Sequence, residues 1–342
     1  MQITEVKPKK TKVTMSDIAA LAGVSRSAVS AVLNNRTKDI RVSEDTRNRI
    51  EKIEQQTAFR SNAFGKALAS GKSNLIALIV QDITDSFVPQ CIEAIEDVAE
   101  DLGYGVLLMT TRNADKSRQN NLMNFVTNKW VDGIVLMTEC DTDQNTRVFL
   151  EQRKVPIVYL GHQPKDAFAH SGSTRVNGAS IGYLGSRHLI LKGHKHIACI
   201  GMTNWIKEGI TNAADENAAE SSNIEFEYWS CDYSSVAPMK EILDRWSKTS
   251  QRPTALFFNG DNLACDFINL AVRAGIKIPD DLALLGVNDL PEAEKAIYPL
   301  STIRQPKYNQ AEIACKLIFD MIEGKPPQQI LLEPELIVRE TT

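Results

Sequence analysis

The 342-residue sequence predicts an α/β protein, with an N-terminal all-α helix-turn-helix head and a two-lobed, doubly wound parallel-sheet core. Three observations predict it. Thr14–Leu33 carries a helix cap, a glycine turn and a second helix cap in immediate succession. Beyond residue 74, apolar runs too short for helices recur: LIALIV (75–80), YGVLLM (104–109), GIVLM (133–137), PIVYL (156–160), IACIG (197–201), ALFF (255–258) and LALLGV (282–287). Most are separated by stretches long enough for a helix, as buried parallel strands with crossover helices are, and the length of the region suggests two lobes. Third, residues 1–72 carry fourteen Lys and Arg against seven Asp and Glu, while the rest carries 25 against 36. A basic head on an acidic body is expected where only the head meets phosphate.

The bulk composition excludes several classes. Hydrophobic residues at 43% and charged residues at 24% are those of a globular chain. No apolar run approaches the roughly 18 residues of a membrane span, and MQITEVKPKK lacks the apolar stretch of a secretory signal. A cytoplasmic protein with no membrane partner is expected. Cys91, Cys140, Cys199, Cys231, Cys265 and Cys315 are scattered without a CxxC pair. That spacing suits buried, inert thiols in a reducing compartment and opposes a disulfide framework or zinc site.

Along the head, residues 1–13 are Lys-rich and expected to form a disordered basic arm. Thr14 caps the first helix, with Asp17 completing a capping box. Ile18, Leu21 and Ala22 then share one helical face. Gly23 supplies the left-handed turn residue, and Ser25 caps the second helix, whose buried face is Val29, Val32 and Leu33. Arg26 and Ser27 point outward in its first turn, with Ala28 and Ala31 nearby. In a major groove, small side chains allow close approach and an arginine pairs bidentately with guanine. Ser43 caps a third helix, with Glu44 and Asp45 favourable in its first turn. The module ends near residue 60, and residues 61–73 form a linker.

With these residues in view, the segments DIAALAGVSRSAVSAVLN, RVSEDTRNRI and SNAFGKALASGKS resemble the head of the lactose-repressor (LacI) family. The resemblance implies that Arg26, Ser27 and Ala31 read operator bases, with Thr14, Ser25 and Asn34 contacting DNA around them. It implies that Ser61–Ser70 is a hinge helix, to which Ser61 and Asn62 belong. Lys66 would there meet phosphate and Leu68 would enter the minor groove as a wedge. Ala31 stands where many relatives have arginine, and Ser61 where proline is common. Asn35–Arg41 is longer than in the shortest members, and Gly65 lowers helicity by about 1 kcal/mol relative to alanine.

The resemblance continues through VQDITDSFVPQCIEAIEDVAEDLGY, VDGIVLM, HLILKGHKHIACIG, RPTALFFNGDNLA, AGIKIPDDLALLGVND and PLSTIRQPKYNQAEIA. It implies two lobes like those of periplasmic sugar-binding proteins, joined by three crossing strands. Lobe one would be 74–172 with 299–325, and lobe two 173–298 with 326–342. Carried over position by position, Ser86, Phe87, Tyr233 and Asp261 match effector contacts. Trp205 and Thr211 fall where arginines are usual, and Asn288, beside Asp289, where an aspartate is usual. Val176 replaces another acid, although Asn177 remains. The implied effector is a small molecule, a carbohydrate. The altered pocket leaves a non-sugar ligand or a protein partner as the alternative.

Other chemistries find no support. GKS at 71–73 has its upstream glycine out of register for a phosphate loop and precedes a strand instead of following one. His188, His194 and His196 invite a metal reading, but Gly193–His194 is a turn element, and neither metal nor cofactor is expected. No nucleophile elbow, HExxH or paired-glycine nucleotide fingerprint is present, so no enzyme is expected. A solute-binding protein is opposed by the basic head. The expectation is a transcriptional repressor acting as a homodimer on a roughly palindromic operator in double-stranded DNA. The lack of a leucine-heptad tail after residue 330 favours a dimer over a tetramer.

Overall fold

A computed structural model describes residues 13–33, 42–57, 59, 71–112, 116–128, 131–138, 142–217, 224–231 and 237–342. The chain divides into two compact units, residues 1–73 and 74–342.

The first unit contains α1 (Met15–Ala22), α2 (Arg26–Leu33) and α3 (Glu44–Thr57). Thr14 Oγ1 accepts from the Asp17 amide while the Asp17 carboxylate accepts from the Thr14 amide, a reciprocal capping box. Gly23 ends α1 at φ 65°, where a Cβ would be strained. Ser25 Oγ accepts from the Ala28 amide, and Ser43 Oγ from the Thr46 amide, so both expected caps form. The chain turns through 106° between α1 and α2, as helix-turn-helix pairs do. Ile18, Ala19, Ala22, Val29, Val32 and Ile50 close a small core. Leu21, expected inside, is instead 63% exposed. At 100° per residue the sector spanned by Ile18, Ala22 and Ala19 turns Leu21 to the side, and Ala19 takes its place.

The second unit begins with β1 (Leu75–Val80), α4 (Val88–Asp101), β2 (Gly105–Thr110), α5 (Lys116–Asn128), β3 (Gly133–Leu136), α6 (Gln144–Gln152), β4 (Ile157–Leu160) and β5 (Ser171–Val176). It continues through α7 (Gly178–Leu191), β6 (His196–Ile200), α8 (Asn204–Asn217), β7 (Glu225–Trp229), α9 (Ala237–Lys248), β8 (Ala255–Phe258), α10 (Asp261–Arg273) and β9 (Ala283–Val287). It ends with α11 (Pro291–Lys295), β10 (Ser301–Arg304), α12 (Lys307–Ile322), β11 (Gln329–Leu332) and β12 (Glu335–Ile337). Two six-stranded sheets result, ordered β11-β5-β4-β3-β1-β2 and β12-β10-β9-β8-β6-β7. Each is the centre of one lobe.

All seven apolar runs are strands. The lobe boundaries differ from those the sequence suggests. β5 and β11 belong to the first sheet, where β5 pairs with β4 and β11 with β5. β10 belongs to the second, pairing with β9 and β12. The chain therefore crosses between lobes after Val176, after Arg304 and after Leu332. Near a crossing, composition marks a strand without saying which sheet completes it.

Lobe one packs α4 and α12 against its sheet through Cys91, Ile95, Val135, Cys315 and Ile318. In lobe two Phe258, Phe267 and Leu284 are wholly buried on one face, and α7 and α8 cover the other. There Gly182 and Gly209 bring the α7 and α8 backbones into contact. A Cβ would lie 1.9 Å from the Ile206 carbonyl oxygen at Gly182, and 1.7 Å from that of Ala179 at Gly209. That contact sets the amino ends of the two helices side by side.

Cys91, Cys199, Cys265 and Cys315 are thiols outside any disulfide. Burial raises the Cys91, Cys265 and Cys315 thiols to about 12 and pushes Cys199 up as well, which suits the inert role expected of them. Among the described residues, no single helix is long and apolar enough to cross a membrane.

Candidate functional site

Two surfaces concentrate chemistry, one in each unit. In the first, Arg26 and Ser27 are exposed on the opening turn of α2, over the buried Val29 and Val32. Thr14 and Ser25 are exposed too, with their hydroxyls engaged as caps. Ala31 is a correction: at 3% exposure it belongs to the buried face of α2, and its methyl has no surface to offer a base edge. Asn34, Ser61, Asn62, Lys66 and Leu68 lie outside the described residues.

In the second unit a cleft of about 410 Å³ opens at the carboxyl ends of the strands, where doubly wound sheets hold ligands. Lobe one contributes Phe87, His162 just beyond β4, Arg175 near the end of β5, and Gln310. Lobe two contributes Thr203 beyond β6, Trp205 and Glu208 on α8, and Asn259 beyond β8. Gln305 enters from the crossing after β10.

Each wall has an identifiable cause. Trp205, 47% exposed, lies across Gly178, where a Cβ would meet its indole at 2.4 Å. Its ring stacks on His162 at 4.8 Å between centroids and 29° between planes, joining the two lobes. Asn177 caps α7 by accepting from the Ser180 amide at 3.3 Å and donates to Glu333 at 2.9 Å. Asn259 donates to the Gly201 carbonyl at 3.0 Å. Gln310 is held in place by donating to the Thr174 carbonyl at 2.8 Å. The Thr203 hydroxyl is buried and has no hydrogen-bond partner. The Arg175 guanidinium makes no hydrogen bond or ion pair with any described residue, whereas Arg304 and Arg339 both pair with Asp289.

Of the expected effector positions, Phe87 and Trp205 do line the cleft. Tyr233 lies outside the described residues. The others stand elsewhere. Asp261 is wholly buried within lobe two, where its carboxylate accepts from Thr302 Oγ1 at 2.6 Å and the Leu290 amide at 2.8 Å. Burial raises its carboxyl to about 7. Asn288 stands behind the wall: its Oδ1 accepts from Gln305 Nε2 at 2.7 Å and thereby aims Gln305. Thr211 is exposed further along α8, donating to the Lys207 carbonyl, and Ser86 is exposed outside the cleft lining. Position matching placed Asp261 and Asn288 too deep in lobe two, and Thr211 and Ser86 outside the cleft. The residues it missed, His162, Arg175, Thr203, Asn259 and Gln305, lie at or just after strand ends, a signal available once the strands are located.

The three histidines singled out in the sequence do not converge. His188 bonds Thr342, His194 bonds Thr254, and His196 bonds Glu227 at 2.7 Å. His196, Glu225 and Glu227 do lie within 4.8 Å of one another. Glu227, however, already accepts from Trp229 and Arg245.

A helix-turn-helix unit followed by a two-lobed unit with a cleft between its sheets is the architecture of a DNA-binding regulator. Comparison with known proteins agrees. The description "Bacterial regulatory proteins, lacI family" matches residues 14–62. "Periplasmic binding proteins and sugar binding domain of LacI family" matches residues 73–208, and "Periplasmic binding protein-like domain" matches 186–342. The chain is 31% identical to the HTH-type transcriptional regulator DegA of Bacillus subtilis, over 97% of this chain and 98% of that one. It is 28% identical to the HTH-type transcriptional repressor CytR of Escherichia coli, over 99% and 98%. Its fold matches a crystal structure of the lac repressor dimer bound to operator and the anti-inducer ONPF. There the TM-score is 0.81 at 22% identity, over 97% of this chain and 99% of that one. The chain belongs to the lacI family of bacterial regulatory proteins and is a transcriptional regulator.

Proposed function

We propose that this regulator is a cytoplasmic homodimeric repressor that acts by binding and without catalysis. Each α2 lies in the major groove of a roughly palindromic operator, and a small ligand in the cleft sets the affinity. The observation that carries the proposal is the pairing, in one chain, of an exposed Arg26–Ser27 face on the second helix of a helix-turn-helix with an aromatic and polar cleft between two lobes. Arg26 supplies the fork that reads guanine, and Ser27 permits close approach. Thr14 and Ser25, at the positive ends of α1 and α2, face the phosphates. Lys66 and Leu68 of the linker serve as phosphate contact and minor-groove wedge, with Asn34, Ser61 and Asn62 beside the DNA. A ligand that prefers one lobe arrangement shifts the population of heads spaced for the operator. A cleft of about 410 Å³ with unpaired polar groups supports a small molecule over a protein as the co-signal.

The test is selection of bound duplexes from a random pool by the full-length protein, followed by titration of the selected sequence. Arg26→Ala is expected to lose about 1–3 kcal/mol of discrimination at one base position. Lys66→Ala is expected to weaken all sequences evenly and to lower the salt slope by about one. If no duplex is retained even at low salt, the proposal fails.

A further inference from the structure

The cleft is electrically lopsided, and the imbalance points to the charge of its ligand. Arg175 projects from β5, is exposed, and pairs with no described group. The amino ends of α7 and α8 open into the same space through Gly178, Ala179, Trp205 and Ile206; Glu333 compensates that of α7 through Asn177 and Ser180, whereas α8 has no acidic residue in its first turn. Each such end acts as about half a positive charge. The one carboxylate among the described lining residues, Glu208, is exposed and sits beyond the first turn of α8.

Resting on the reading of this cleft as the regulator's ligand site, we propose that the ligand is an anion: a polyhydroxylated ring bearing a carboxylate or a phosphate, with Arg175 as its counter-ion. The ring lies on the exposed Trp205 face, the anionic group takes the Arg175 fork beside the amino end of α8, and Asn259 and Gln305 receive ring hydroxyls. Trp205 alone would hold a neutral sugar equally well. A free guanidinium and the amino end of α8, which no carboxylate caps, are what separate the charged ligand from the neutral one.

Calorimetric titration of the full-length protein against matched sets tests this: glucose, glucuronate and glucose 6-phosphate, then ribose and ribose 5-phosphate. At least one anion is expected to bind tenfold or more tightly than its neutral parent, and the carboxylate and phosphate arms decide which group is recognised. Arg175→Gln is expected to weaken that anion roughly 10- to 100-fold and abolish the preference, with Arg175→Lys intermediate and Glu208→Gln retaining the preference. A neutral parent that binds as tightly as its anions, or an Arg175→Gln variant with unchanged affinity, overturns the charge assignment while leaving the cleft as a ligand site. Silence of every compound, by a protein that still selects duplex DNA, overturns the charge assignment and the small-ligand reading together.

Discussion

The two lobes of the core share one strand order and are fastened by different chemistry. In each sheet the first strand lies beside the second and third, the fourth and fifth follow outward, and a late strand closes the edge. That closing strand runs parallel to β5 in lobe one and antiparallel to β10 in lobe two. Lobe one is held by apolar side chains of α4 and α12 over its sheet. Its buried directional ties, such as Gln310 to the Thr174 carbonyl, are between neutral groups, whereas lobe two adds carboxylates. Asp261 receives two buried hydrogen bonds, Asp289 receives Arg304 at 2.7 Å and Arg339 at 2.6 Å, and Thr341 donates to the Leu284 carbonyl at 2.7 Å. Topology is thus indifferent to the means of fastening, but tolerance to change is not. Apolar side chains yield to an added atom by small rotations; backbone contacts and buried carboxylates do not.

The contrast is tested most severely at glycines. Gly209→Ala drives a methyl into the Ala179 carbonyl, so urea unfolding is expected to show a loss of about 3 kcal/mol. In lobe one, Gly133→Ala meets only side chains, Ile318 at 2.7 Å and Ile322 at 3.4 Å, and about 1 kcal/mol is expected. Equal losses would refute the contrast.

Next comes pH, because the two aspartates of lobe two titrate in opposite directions. Burial raises Asp261 to about 7. The stability it confers is full below the ordinary carboxylate value near 3.8 and fades as pH rises through about 7. Asp289 is pushed up by burial, but hydrogen bonds from Arg339 and Arg304 outweigh this and hold it low. Its contribution is present above the ordinary value and lost as pH falls through the depressed one. Unfolding measured from pH 3 to pH 8 is therefore expected to respond to Asp261→Asn between about 4 and about 7, and to Asp289→Asn at the acid end. A wild-type-like profile for Asp261→Asn would show that its carboxyl titrates normally.

The smallest stability change is expected where the lobes meet. Trp205→Ala removes a half-exposed ring and leaves unfolding nearly unchanged, while ligand affinity drops roughly tenfold by loss of the stacking face. A large stability loss with intact affinity would make Trp205 a packing residue.

The head was legible almost whole, because its signals are local. The Thr14–Asp17 box, Gly23, Ser25 and Ser43 act within three or four residues along the chain, and all take the predicted roles. Leu21 and Ala31 were misplaced because the width of a helical face depends on what packs against it. In the core, apolar runs marked seven strands. They missed β5 (SGSTRV) and β10 (STIR), which are mostly buried but built of Ser, Thr and Arg. They missed β7, which is only partly buried, as well.

The cleft was legible only in part. Phe87 and Trp205 could be matched by position, but Arg175 sits in a strand too polar to be noticed, and Asp261 is drawn inward by Thr302 and Leu290, which lie 41 and 29 residues away.

Local hydrogen bonding and hydrophobic period, both written along the chain, determined the helix-turn-helix, the α/β class and the charge asymmetry. The lobe that owns each crossing strand, the burial of Asp261 and the isolation of Arg175 were decided by tertiary structure. They depend on contacts between residues distant in sequence, and no local pattern encodes which partner arrives.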